Sequence, residues 1–353
     1  MARLSRLKMS MTMAILLVGI IFAVFLAALM YVVSLFWELP PLGMYIIAVI
    51  GAGFFIFIQY LIGPAVVRAA TRLRYLKPGE NPWLEETVKK YAEKSGLPTP
   101  KLAIVPDETP NAFVFGRTAS SATLALHEGL LKQLTKEEAE GVIGHELGHL
   151  RHKDYLVMTA LSAVPLIAYL IARVSFEAMR FGTVGRNRKD SGLVWVAIIA
   201  AAFVSYIVYI ITQLCVLGLS RLREHYADAY SAYLTGNPRW LQSALTKITY
   251  GLSLSPKPPS GARTFYIGDP ATAKLEFQSI ISRKQEYDLD RDGVLDEKEL
   301  ELAMEKEAKN TWVKVNTLFT THPPTYKRIL LLREIEKEME TGKFTSNNIY
   351  SRI

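Results

Sequence analysis

Four long apolar runs constrain this chain more than any other feature of its sequence. They occupy residues 11–36, 42–62, 156–176 and 193–217, and Arg173 is the one charge inside them. A bilayer core of about 30 Å needs roughly 20 helical residues at about 1.5 Å each. In lipid the backbone must satisfy its own hydrogen bonds, so runs of this length predict membrane-spanning helices. The first run exceeds the roughly 7–15 apolar residues of a signal peptide, and no small-residue cleavage site follows it. It is expected to remain as an anchor.

Composition and charge sharpen this picture. Half of the 353 residues are hydrophobic and 21% are charged. The charged share is below the soluble average of about 25%, and a disordered chain is excluded. A single cysteine, Cys215, excludes intramolecular disulfides and a Cys-rich zinc module. The net charge is 41 − 33 = +8. Much of the excess flanks the apolar runs: Arg3, Arg6 and Lys8 precede the first, and Arg68, Arg72, Arg74 and Lys77 follow the second. The connector between them carries only Glu38. The positive-inside rule then places both ends of this hairpin in the cytoplasm. The connector between runs three and four carries Arg180, Arg186, Arg188 and Lys189, against that rule if the hairpin spans. Length alone favours spanning. No stacking-aromatic pattern points to a nucleic-acid partner. The expected location is the cell membrane, multi-pass, with the lipid bilayer as partner and the oligomeric state open.

This divides the chain into a transmembrane hairpin at 1–66, an aqueous part at 67–155, a second hairpin at 156–217 and an aqueous part at 218–353. Short strands are expected at 101–105, 111–115 and 122–126. Thr135 with Glu138 forms a capping box that opens a helix. Ala139, Val142, Ile143 and Leu147 give that helix one apolar face.

The same helix carries His145-Glu146-Leu147-Gly148-His149. Residues four apart share a helix face, so both imidazoles can reach one metal, and Glu146 can take a proton from water. A chance match of this pattern in such a chain has odds of roughly one in a hundred, so a third ligand decides the matter. The candidate is Glu224, which completes a His₂Glu zinc set, and Asp228, one turn later, can hold the second nitrogen of a ligating histidine. The competing reading pairs Glu224 with Arg221. A helix bearing Glu224 is expected to begin just after the fourth apolar run.

With these pieces the chain resembles the HtpX-type membrane zinc metalloproteases, related to the CAAX prenyl proteases. The resemblance rests on the N-terminal hydrophobic hairpin, Asn111-Ala112-Phe113, His145 to His149, Ser220-Arg221 with Glu224, Ala227-Asp228, and Thr321-His322-Pro323-Pro324 with Arg328. It covers most of the chain apart from about 256–310. It implies zinc on His145, His149 and Glu224, with Glu146 as the base. It also implies that Asn111, Ala112 and Phe113 lie on an edge strand that pairs with a polypeptide substrate. The expected fold is mainly α, membrane α-helical, with a small β-sheet and a gluzincin-like catalytic part. His322, stiffened by the prolines after it, is a candidate donor to the developing oxyanion. Arg328 is a candidate partner of Asp228, and Asp154 a candidate support for a ligand.

Residues 288–299 match an EF-hand loop at every specified position. Asp288, Asp290, Asp292, the Val294 carbonyl, Asp296 and Glu299 would bind Ca²⁺, within an insertion at about 270–308, and Mg²⁺ can occupy some such sites. No second loop is found to pair with it. The reading that follows is a membrane-embedded zinc endopeptidase cutting misfolded membrane proteins or exposed cytosolic segments. The alternatives are a prenyl-protein protease, for which four spans are few, and a non-catalytic calcium-responsive adaptor.

Overall fold

The computed structural model describes residues 4–37, 40–181, 191–253, 286, 289, 306, 318–346 and 348–353. In chain order its elements are α1 (Leu4–Trp37), α2 (Pro41–Thr71), β1 (Arg74–Tyr75), α3 (Pro82–Lys94), β2 (Lys101–Val105), β3 (Ala112–Phe115) and β4 (Thr123–His127). Then come α4 (Glu128–Gln133), α5 (Lys136–His152), α6 (Asp154–Phe181), α7 (Ser191–Thr235), α8 (Pro238–Ser253) and α9 (Thr325–Glu340). The chain divides into two compact units, one of Lys8–Gly63 and Leu156–Leu219, the other of Met1–Leu7, Pro64–Tyr155 and Ser220–Ile353.

The first of these units holds the apolar runs. Among the described residues, α1, α2, α6 and α7 are long and apolar enough to cross a membrane. Their large side chains face outward: Leu16, Ile20 and Val24 on α1, Leu42, Ile47 and Phe54 on α2, Val196 and Phe203 on α7. No described residue of α2 is buried. A soluble protein does not expose so much contiguous apolar surface, whereas lipid solvates it. Inside the unit, α6 and α7 meet through Phe176 with Phe203 (ring centroids 5.7 Å apart) and Tyr169 with Tyr209 (5.4 Å). Gln59 Nε2 donates to Ser162 Oγ at 3.4 Å, giving a polar side chain of α2 a partner on α6.

The other unit holds a four-stranded sheet in the order β1-β2-β4-β3. β2 and β4 run parallel, β3 pairs antiparallel with β4, and β1 antiparallel with β2. β3 is therefore an edge strand. Leu124, Leu126, Val142, Ile143, Leu147, Ala229 and Leu241 join the sheet, α5, α7 and α8 in one core. The capping box at Thr135 is formed from both sides: the Glu138 amide donates to Thr135 Oγ1 at 3.3 Å, and the Thr135 amide to Glu138 Oε2 at 2.8 Å.

Two expectations are corrected. β3 begins at Ala112, and Asn111 lies just before it, because the Asn111 carbonyl accepts from the His127 amide at 2.9 Å and closes the end of the β3–β4 pair. No new helix begins after the fourth apolar run. α7 continues from Ser191 to Thr235, since nothing between Leu217 and Glu224 breaks a helix. The sequence analysis did not anticipate β1, α3 or α4. β1 is two residues long and has no alternation to read.

α5 lies unusually close to α7 and α8. Gly141, Gly144 and Gly148, at three- and four-residue spacing, face these neighbours. A Cβ on Gly148 would come within 3.1 Å of Ala227 Cα, one on Gly144 within 3.0 Å of Ser231 Oγ, and one on Gly141 within 2.8 Å of the Leu241 amide nitrogen. Ser231 Oγ uses the proximity to donate to the Gly141 carbonyl at 2.6 Å. This glycine stripe sets the distance between the helix bearing the histidines and the helix bearing Glu224.

Candidate metal centre

His145 and His149 stand one turn apart on α5, and Glu224 faces them from α7. His145 Nε2 and His149 Nε2 are 3.1 Å apart. Glu224 Oε2 lies 3.4 Å from His145 Nε2, and Glu224 Oε1 lies 3.3 Å from His149 Nε2. Tetrahedral bonds of about 2.0–2.1 Å place neighbouring ligand atoms roughly 3.3 Å apart. Each imidazole Nε2 thus has a Glu224 oxygen at about that distance, and one ligand atom from each of the three residues lies within 4.8 Å of the others. His145 and Glu224 are buried, and Glu224 Oε2 makes no well-aligned hydrogen bond among the described residues. A buried carboxylate with poorly aligned partners is costly, and a bound cation would lower that cost. The donor set fits a metal ion.

Each histidine is backed by a carboxylate, and each carboxylate by an arginine. His145 Nδ1 is 2.9 Å from Asp228 Oδ1, and Arg328 grips Asp228 with Nε to Oδ2 at 2.9 Å and Nη2 to Oδ1 at 2.7 Å. Arg328 Nη1 also approaches Glu224 Oε2 at 3.3 Å. His149 Nδ1 is 2.6 Å from Asp154 Oδ2, and Arg223 Nε stands 3.0 Å from Asp154 Oδ1. Carboxylates on the far nitrogens select the tautomer that leaves both Nε2 lone pairs pointing inward. The structure therefore brings together His145, Glu146, His149, Glu224, Asp228, Arg328, Asp154 and His322. Arg223 was missed by the sequence analysis, which has no means of telling a buried arginine from the surface arginines beside it.

Burial and charge tune these groups. Burial lowers the His149 pKa, but the carboxylates of Glu224 and Asp154 outweigh it and push His149 up to about 10. Glu146 is pushed above the usual carboxylate range, mainly by burial, while His149 and His145 pull it down. Its carboxylate also takes a hydrogen bond from the Val114 amide, so β3 meets this buried carboxyl directly. Ala112 and Phe113 lie on this edge strand, both buried. His322 is 5% exposed, with Nδ1 3.2 Å from Glu224 Oε2, yet among the described residues neither ring nitrogen is aligned in a hydrogen bond. Of the EF-hand positions, Asp288, Asp290, Asp292, Val294, Asp296 and Glu299 all lie outside the described residues.

Residues 78–336 match Peptidase family M48. The chain belongs to peptidase family M48. Curated relatives agree. A "Protease HtpX homolog" of Methanothermobacter thermautotrophicus is 39% identical over 72% of this chain and 90% of its own length. Another, of Methanocaldococcus jannaschii, is 33% identical over 89% of this chain and 95% of its own. A crystal structure of S. mikatae Ste24p, 17% identical, covers 94% of this chain and 67% of that chain at a TM-score of 0.45, too loose a likeness to argue from. With its four apolar helices, this M48 chain is a membrane-embedded protease of the metallopeptidase type.

Proposed function

We propose that this M48 protease is a zinc endopeptidase whose site is held by His145, His149 and Glu224. The observation that carries the reading is the convergence of one ligand atom from each of these residues to within 4.8 Å of one another, beside a buried Glu146. When bound, zinc supplies Lewis acidity, which acidifies water and polarises a carbonyl. Glu146, its carboxyl pKa raised mainly by burial, takes the proton from the attacking water and passes it to the leaving amide nitrogen. The substrate strand adds to the edge of β3 through Ala112 and Phe113, with Asn111 closing the strand's start. His322, whose ring nitrogens make no aligned hydrogen bond among the described residues, donates to the oxyanion. Asp228 with Arg328, and Asp154 with Arg223, hold the two imidazoles in place.

The substrates are unfolded membrane proteins or exposed segments of them, and basic residues flanking the first hairpin put the site on the cytoplasmic side. The matching loop at 288–299 binds calcium. If calcium leaves both proteolysis and thermal stability of the zinc-loaded protein unchanged, that part is wrong.

The deciding experiment is casein hydrolysis by detergent-purified, zinc-loaded wild type and Glu146→Gln. Wild type is expected to cut. The variant should retain one zinc per chain and lose at least about a hundredfold in kcat, as expected for removal of a general base. Equal rates would refute the reading.

A further inference from the structure

Arg221 stands three residues before Glu224 and seven before Asp228, so one face of α7 carries all three. Its guanidinium turns to backbone rather than to Glu224. Nη1 donates to the Leu318 carbonyl at 3.1 Å and to the Thr320 carbonyl at 2.8 Å. Thr320 Oγ1 in turn donates to the His322 carbonyl at 2.7 Å. On the other side of His322 come Pro323 and then Pro324, the N-cap of α9. The backbone of His322 is thus gripped on its N-terminal side through Thr320 and on its C-terminal side by two ring-locked residues.

That grip matters because the His322 ring is buried beside Glu224 and makes no aligned hydrogen bond among the described residues. An imidazole on an unrestrained loop would turn towards water or towards a fixed acceptor. A donor that stabilises a transition state must be in place beforehand, and a displacement of about 1 Å can cost about a hundredfold in rate.

We propose that Arg221 is a positioning residue: by holding the Leu318 and Thr320 carbonyls to α7, it keeps the His322 ring aimed at the reaction centre. The proposal rests on the reading of His322 as oxyanion donor. Arg221 touches neither substrate nor metal ligand and acts only through the 318–322 segment. A lysine at this position retains the charge and three donors on one nitrogen but lacks the rigid fork.

The test is a double-mutant cycle on zinc-loaded protein in detergent, with kcat and KM measured for Arg221→Ala, Arg221→Lys, His322→Ala and Arg221→Ala/His322→Ala. Hydrogen exchange across residues 318–322 is followed in parallel on the zinc-free protein. Arg221→Ala is expected to lower kcat by about 10- to 100-fold with KM within about twofold. It should add no loss in the His322→Ala background, and Arg221→Lys should recover part of the rate. Exchange at 318–322 should quicken in Arg221→Ala while zinc content stays at one per chain. A full Arg221→Ala loss repeated in the His322→Ala background overturns the positioning role and leaves the oxyanion reading standing. Unchanged exchange at 318–322 overturns it as well. If His322→Ala alone keeps its kcat, the oxyanion reading fails and the role of Arg221 falls with it. Should Arg221→Ala not fold, Arg221→Lys carries the same cycle.

Discussion

His149 sits between two carboxylates, Glu224 on Nε2 and Asp154 on Nδ1, and this raises its affinity for a proton. Its pKa of about 10 in the metal-free protein lies above the ordinary histidine value of about 6.5. The protonated form is therefore the stabilised one. Its contribution is complete below about 6.5 and is lost as pH rises through about 10. Zinc needs the neutral imidazole, so at pH 7 it must displace that proton. Calorimetric titration of zinc in buffers of different ionisation enthalpy should show release of about one proton or more per ion, with apparent affinity rising from pH 6 to 9. Zinc uptake with no proton release would contradict this. Removing a supporting carboxylate attacks the same site from behind. Asp154→Asn is expected to weaken zinc binding by about 10- to 100-fold without unfolding the protein, read by competition with a chelator.

At the scale of elements, the site depends on how closely α5 approaches α7. Gly148, beside the ligand His149, meets backbone rather than a flexible side-chain end at 3.1 Å from where a Cβ would stand. Gly148→Ala must push the helices apart by a few tenths of an ångström or strain them. Overpacking of this kind costs about 1–3 kcal/mol. Because the same shift moves Glu224 away from the histidines, zinc affinity should fall along with Tm. A variant that loses stability but keeps its zinc affinity would show that the two helices can yield without moving the ligands. The edge strand contributes differently. Val114 offers its amide to Glu146, so β3 and the buried carboxyl meet directly.

At the scale of the whole molecule, α1, α2, α6 and α7 give the chain four segments that lipid can solvate, and side chains such as Ile47, Phe54 and Val196 face outward on them. Peripheral attachment is therefore excluded as the mode of membrane binding. The protein is expected to stay in the membrane pellet after alkaline carbonate and high-salt washes and to enter solution only with detergent. Release by carbonate alone would contradict the spanning assignment.

The sequence by itself determined the membrane helices, the start of α5 and the shared face of its two histidines. Run length dictated the membrane helices, since the bilayer sets a minimum number of residues. The Thr135 box placed the start of α5, and the four-residue spacing of His145 and His149 put both on one face, because caps and helix periodicity act within a few residues. Glu224, Asp228, Arg328 and His322 were legible as candidates only through chemistry and family resemblance. Their assembly required tertiary structure, since α7 and α9 reach α5 across long stretches of chain. Only the fold showed that α7 runs unbroken from Ser191 to Thr235, that Arg223 is buried on Asp154, and that Arg221 turns to Leu318 and Thr320 instead of Glu224. An arginine in a sequence carries the same charge whether it meets solvent, a carboxylate or a carbonyl. Which partner it takes is decided by the packing that removes the other choices.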